Sequence, residues 1–257
     1  IRRLEGLQEV VRPELAIFIM EKALAGLHAA HEQCDESGEP QEIIHRDFTP
    51  SNILLSYRGD VKLVDFGIAK ARLSRSRTQA GFIKGKLKYM SPEQTLKKTL
   101  DRRSDVFAAG VVLYVAVTGR WPFFGPDDES LIRAIRTKEH RPPSSWAPEL
   151  DTVFDEIVAK ALAKNHEERF ETADDFREAL MAWRLASDLP PTGPGALGTI
   201  VQGLFSMERE DEKRLYQSFA YDHEATPTAE RQAYTRIVGV AEPSYSSISW
   251  RVDGGTG

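Results

Sequence analysis

Two short apolar runs, each ending in a turn that carries a carboxylate, constrain this chain most. The first lies in Ile43-Ile44-His45-Arg46-Asp47-Phe48-Thr49-Pro50-Ser51-Asn52-Ile53-Leu54-Leu55, where a polar turn presents Asp47 and then Asn52 before the chain becomes apolar again. The second is Val64-Asp65-Phe66-Gly67, again after a short apolar run. Strand–turn units that each offer an oxygen ligand suit a divalent cation and a phosphate. Either turn alone is ordinary loop chemistry, because Asp, Asn, Pro and Gly favour turns in any protein. The pair, in this order and spacing, singles out a candidate site.

The flanking sequence reads as mostly helical. Pro13 suits the first turn of a helix, and Leu15, Phe18, Ile19, Ala23 and Leu27 follow at helical spacing to about Glu32. His28 and His31 stand three apart on that helix, a spacing that could seat two imidazoles on one metal, but no third ligand stands nearby. Short strands are expected around Ile43-Ile44, Ile53–Leu55 and Val61–Val64, with Arg58-Gly59-Asp60 as the hairpin turn between the last two. Residues 68–90 are polar, basic and too long for a plain connection. From Asp101 to Thr118 the chain is apolar on nearly every face, which marks a buried helix, too short to span a bilayer. Further helices are expected near 128–137, 149–163 and 172–186, the last opened by Thr172 and Asp175 in a capping-box pattern. Residues 188–199 have a linker composition, residues 200–221 form an amphipathic tail helix, and residues 222–257 are expected to be disordered.

Composition narrows the partners. A net charge of −5 gives no global attraction to nucleic acid. A single cysteine, Cys34, excludes an internal disulfide framework and fits a reducing compartment, so a cytoplasmic location is expected.

His45-Arg46-Asp47 with Asn52, then Asp65-Phe66-Gly67, then Ser91-Pro92-Glu93 resembles the catalytic loop, magnesium loop and activation-segment end of protein kinases. Tyr89-Met90-Ser91-Pro92-Glu93-Gln94 resembles bacterial Ser/Thr kinases of the eukaryotic type. The resemblance covers roughly residues 1–187 and implies a mainly α (α+β) fold, a kinase C-lobe with short catalytic-loop strands. It also implies ATP and Mg²⁺ as cofactors, with transfer of the γ-phosphate to Ser or Thr of a protein substrate. Asp47 then takes or orients the substrate proton, Asn52 and Asp65 ligate Mg²⁺, and Leu54 lies at the floor of the adenine site. His45 and Phe66 stack in the core, Asp105 holds the catalytic-loop backbone, and Glu93 pairs with Arg169. Arg46 would meet a phosphate on Thr78, Ser76 or Ser74.

The departures from the family are as informative. Thr49 stands where a lysine is usual, two residues after the catalytic Asp, and Lys86 stands where a threonine is usual, three before Tyr89. The two suggest a spatial exchange in which Lys86 supplies the charge and Thr49 the hydroxyl. Ser51 and Val115 replace acids that attract arginine-rich substrates. No Gly-rich loop or strand lysine is present, and Ile1 falls past the family's hinge, so the chain reads as a C-lobe with its N-lobe missing and little activity alone. Any membrane link would come through missing parent segments. The rival reading is a pseudokinase or scaffold, and a third makes the tail helix a docking element for a partner.

Overall fold

The computed structural model describes residues 11–66 and 85–208, residues 210, 211 and 214, and the backbone of 247–248. Gly67, the basic stretch that includes Ser74, Ser76 and Thr78, and nearly all of the tail beyond 214 lie outside the described residues. The chain forms two compact units, one of residues up to 54 with 61–192, the other of residues 55–60 with the segment from 193.

The larger unit is helical. Helix α1, Pro13–His31, starts with proline at a position whose missing N–H costs no hydrogen bond, and buries Leu15, Phe18, Ile19, Ala23 and Leu27. Hairpin strands β1, Ile53–Ser56, and β2, Val61–Leu63, follow it. The short helix α2, Pro92–Thr95, is closed by a capping box between Ser91 and Gln94. Helix α3, Arg103–Thr118, is buried at every residue from Ser104 onward, as its all-round apolar sequence requires. It stops at Gly119, whose φ of +65° admits the left-handed cap. Helices α4, Asp128–Thr137, and α5, Thr152–Ala161, are capped by Asp127 and Asp151. Helix α6, Ala173–Ala186, opens with the expected Thr172–Asp175 capping box. A Cβ on Gly110 of α3 would meet Ala161 Cβ of α5 at 3.0 Å, so the two helices cross at close range. Helix α1 lies against α6, α3 and β2, with Glu21 and Arg184 paired at 2.9 Å across α1 and α6. Among the described residues no helix is long and apolar enough to cross a membrane.

One strand is absent where the sequence suggested it. Ile43-Ile44 has no ladder partner among the described residues. The backbone just beyond gives its N–H groups at His45 and Arg46 to the Asp105 carboxylate instead, so the apolar pair has no reason to join a sheet.

In the smaller unit, helix α7, Pro194–Leu204, opens at Pro194, inside the stretch read as linker. Proline at the first helical turn needs no donor and carries a helical φ, so a Pro/Gly composition there marks a helix start rather than a flexible spacer. Strand β3, Ser247–Ile248, pairs antiparallel with β1 in the register Leu55↔Ile248.

Candidate active site

The site is built on the turn between α1 and β1. Asp105, near the start of α3, accepts from His45 N at 2.7 Å and from Arg46 N at 2.8 Å, one oxygen each. His31, at the end of α1, places Nε2 at 2.8 Å from the same carboxylate. Arg46 sits at φ +63°, a left-handed conformation unfavourable for a side-chain-bearing residue. The two bonds to Asp105 hold it there.

His45 is fully buried and its tautomer follows from its partners. Nε2 lies 3.0 Å from Val64 O, which can only accept, so Nε2 carries the proton. Nδ1 then accepts from Asp47 N at 3.3 Å. Burial pushes the imidazole pKa down, against the Asp105 and Asp47 carboxylates that push it up, and the ring stays neutral. The same ring packs on Phe66, with centroids 4.6 Å apart, as the sequence led us to expect. His45 thus ties the Asp47 turn to the Asp65 turn through Val64 and Phe66.

Asn52 donates through Nδ2 to Asp47 O at 2.8 Å and approaches Asp47 Oδ2 at 3.4 Å. The bond to a carbonyl fixes which end of the amide donates and leaves Oδ1 as its ligating atom. Asp65 is exposed, at φ +59°, and Val64 N donates to Asn52 O at 2.9 Å. Asn52 and Asp65 therefore stand at the base of one hairpin and offer hard oxygen donors. That donor chemistry fits Mg²⁺, which takes one or two protein oxygens and completes its shell with water and phosphate. His28 and His31 make no such centre, since His31 is spent on Asp105, and among the described residues no three His, Cys, Asp or Glu side chains converge.

Lys86 reaches Asp47, with Nζ 2.5 Å from Oδ2. Asp47 is 9% exposed, and the contact spans 39 residues of sequence. Thr49 is buried, and its hydroxyl shares a hydrogen bond with Ser51 Oγ at 3.1 Å. The charge of the suggested exchange is therefore beside Asp47, while the hydroxyl of Thr49 is engaged within its own turn. Leu54 lies half-buried in β1.

Glu93 and Arg169 form the expected buried pair, Nη1–Oε1 at 2.7 Å and Nη2–Oε2 at 2.9 Å, with Ser104 Oγ donating to Oε1 at 2.7 Å. Two positioning contacts escaped the sequence reading. Gln94 completes the α2 cap and also donates to Arg46 O at 3.3 Å, tying α2 to the catalytic turn. Its place in a Ser-x-x-Gln box was the available signal. The His31–Asp105 contact had none, because the histidine spacing spoke equally for a metal pair.

Comparison with known proteins agrees with this geometry. Residues 2–181 match the protein kinase domain family. The tyrosine-protein kinase MasK of Myxococcus xanthus is 42% identical over 199 residues, covering 77% of this chain and 31% of that protein. The serine/threonine-protein kinase PknB of Mycobacterium leprae is 39% identical over 186 residues, covering 72% of this chain and 28% of its own length. That of Mycobacterium tuberculosis H37Rv is 37% identical over 187 residues, with the same coverage. The chain thus spans about three-tenths of the length of these relatives. With His45-Arg46-Asp47, Asn52 and Asp65-Phe66 brought together on one hairpin and held by Asp105, the chain belongs to the protein kinase domain family, in its bacterial, eukaryotic-type branch.

Proposed function

We propose that this chain serves transfer of the ATP γ-phosphoryl group to a serine or threonine hydroxyl of a protein substrate. Asp47 accepts or orients the hydroxyl proton as that oxygen attacks. Asn52 and Asp65 hold Mg²⁺, which when bound neutralises charge on the phosphates, and Leu54 lies under the adenine. Lys86 supplies the cation that the family usually takes from the position of Thr49, and Thr49 supplies the hydroxyl, held in its own turn by Ser51 Oγ. The observation that carries this reading is the 2.5 Å contact of Lys86 Nζ with Asp47 Oδ2, a mobile cation delivered to the acid from another segment. A scaffold has no use for Asp47, Asn52 and Asp65 at one hairpin, which favours turnover.

The test is kinetic, in the full-length protein. Removing one preorganised electrostatic donor costs about 2–4 kcal/mol, or roughly 10²–10³-fold in kcat. Lys86→Ala should fall by that factor, Asp47→Asn should lose transfer altogether, and Lys88→Ala should stay close to wild type, since its Nζ lies over the Trp121 ring at 4.4 Å. The pair Thr49→Lys with Lys86→Thr should recover part of the loss. Normal turnover by Lys86→Ala would remove the lysine from its role. Tyrosine is the second acceptor to test, because the relative of 42% identity is named a tyrosine kinase. Peptides differing only in Ser, Thr or Tyr at the acceptor decide between them.

A further inference from the structure

The hairpin that separates Asn52 from Asp65 has little to hold it by itself. Its turn, Tyr57-Arg58-Gly59-Asp60, lacks the Asn-Gly or Asp-Gly pair that makes a two-residue turn self-sufficient, and a lone two-stranded hairpin is marginal in water. Helix α7 is no better placed by itself. It is 11 residues long and holds Gly195, Gly198 and Gly203, and each glycine costs about 1 kcal/mol relative to alanine in a helix interior.

The two meet within the smaller unit. Pro194, Gly198 and Gln202 recur every four residues and so share one face of α7. A Cβ at Gly198 would fall 2.9 Å from Tyr57 O and 3.0 Å from Arg58 C. A Cβ at Gly59, where φ is +84°, would fall 1.8 Å from Pro194 O. Gln202 Nε2 donates to Tyr57 O at 2.7 Å, across 145 residues of sequence. Tyr57, Gly59 and Gly198 are all buried. Gly195 and Gly203 face open space, where a Cβ would have nothing within 4 Å. Only the glycine that faces the turn is needed for its size.

We propose that α7 is a clamp on the β1–β2 turn, stabilising the hairpin down to its base and so setting the metal end of the site from the C-terminal side of the chain. The metal clause rests on the kinase reading above, whereas the clamp does not. Its path runs along the hairpin ladder, from Gly59 N on Ser56 O at 3.0 Å and Ser56 N on Asp60 O at 2.9 Å to Val64 N on Asn52 O at 2.9 Å. The last bond joins Asn52 itself to the residue before Asp65.

Amide hydrogen exchange in the whole chain tests the clamp with two alanine substitutions of equal helix propensity. Gly198→Ala should accelerate exchange at Ser56, Gly59 and Val64 by about tenfold, since its methyl forces α7 off the turn. Gly203→Ala, which gains the same propensity in open space, should leave those rates unchanged or slow them. Gln202→Ala removes one contact without adding bulk and should act in the direction of Gly198→Ala. Identical behaviour of Gly198→Ala and Gly203→Ala would overturn the clamp, as would faster exchange at Gly59 with Val64 unaffected. In the full-length protein, Gly198→Ala should also raise the Mg²⁺ concentration for half-maximal transfer several-fold, and an unchanged requirement would sink the link to the metal. Wild-type protein that transfers no phosphate at all would overturn the kinase reading and leave the exchange comparison to decide the clamp.

Discussion

Arg169→Met should destabilise the larger unit more than any surface charge substitution, and in a pH-dependent way. The arginine side chain has no exposed surface, and that of Glu93 is 9% exposed. Besides its two bonds to Glu93, Arg169 donates to Ala163 O at 2.8 Å and Arg103 O at 3.0 Å. Methionine fills similar volume but leaves a buried carboxylate with only the Ser104 hydroxyl, a loss of about 3–5 kcal/mol. That is a large share of the roughly 5–15 kcal/mol that holds a domain folded. With a urea slope of about 2 kcal/mol/M, the midpoint should drop by about 2 M. Burial pushes the Glu93 pKa up, but the Arg169 and Ser104 hydrogen bonds outweigh it and hold the carboxyl at about 2, below its ordinary 4.5. A depressed acid contributes stability that is complete above pH 4.5 and is lost as pH falls toward 2. Without Arg169, burial is opposed mainly by the Ser104 hydroxyl, so the Glu93 pKa rises and acidification protonates it earlier, which relieves the buried charge. The difference between wild type and Arg169→Met should therefore be greatest near neutrality and shrink as acid is added. Arg169→Met with Glu93→Leu should recover much of the loss, because an apolar replacement of both partners leaves no orphan charge. A midpoint shift corresponding to less than about 1 kcal/mol, within the range of an exposed pair, would refute this reasoning. So would a shift independent of pH.

Three further outcomes are expected. Asp105→Ala strands the His45 and Arg46 N–H groups and the His31 ring, so it should cost about 3 kcal/mol or more in urea unfolding and expose both amides to exchange. Burial pulls the Lys164 ammonium from 10.5 down to about 8, although it lies 3.5 Å from the Phe123 ring centroid and donates to Ile135 O. A base with a depressed folded pKa penalises folding while charged, so stability should rise between pH 8 and 10.5; Lys164→Met should abolish that rise in a thermal-melt series. Gly119→Ala places a Cβ at φ +65° and should cost about 1–2 kcal/mol, read as a lower melting temperature with unchanged helix content.

Much of this was legible in local sequence. The α3 helix announced its burial by being apolar on every face, and its end by Gly119. The Thr172–Asp175 box marked the start of α6, because a short polar side chain there answers a donor three residues on; the caps at Ser91, Asp127 and Asp151 follow the same rule but were found only in the structure. The catalytic turn was readable from its residues, and the family resemblance then named Glu93 and Arg169 as partners across 76 positions. The Ile43-Ile44 pair misled, because an apolar dipeptide carries no sign of where its neighbours' N–H groups will go.

Residue identity and spacing were enough to pick out the groups of the candidate site, Asp47, Asn52 and Asp65 on two adjacent turns, and the family resemblance added Thr49 and Lys86 as a paired departure. They were enough for the longer helices of the larger unit too, since caps and 3.6-residue periodicity act over single turns. Three-dimensional packing was needed to assign His31 to Asp105 rather than to a metal, and to bring Lys86 to Asp47 while Thr49 turns to Ser51. It was needed as well to start α7 inside an apparent linker, where the helix grips Tyr57 and Gly59. These choices rest on contacts between groups 39, 74 and 145 residues apart. A charge, a ring nitrogen or a missing Cβ is satisfied by whichever partner the packed core brings near, and no local pattern records that partner.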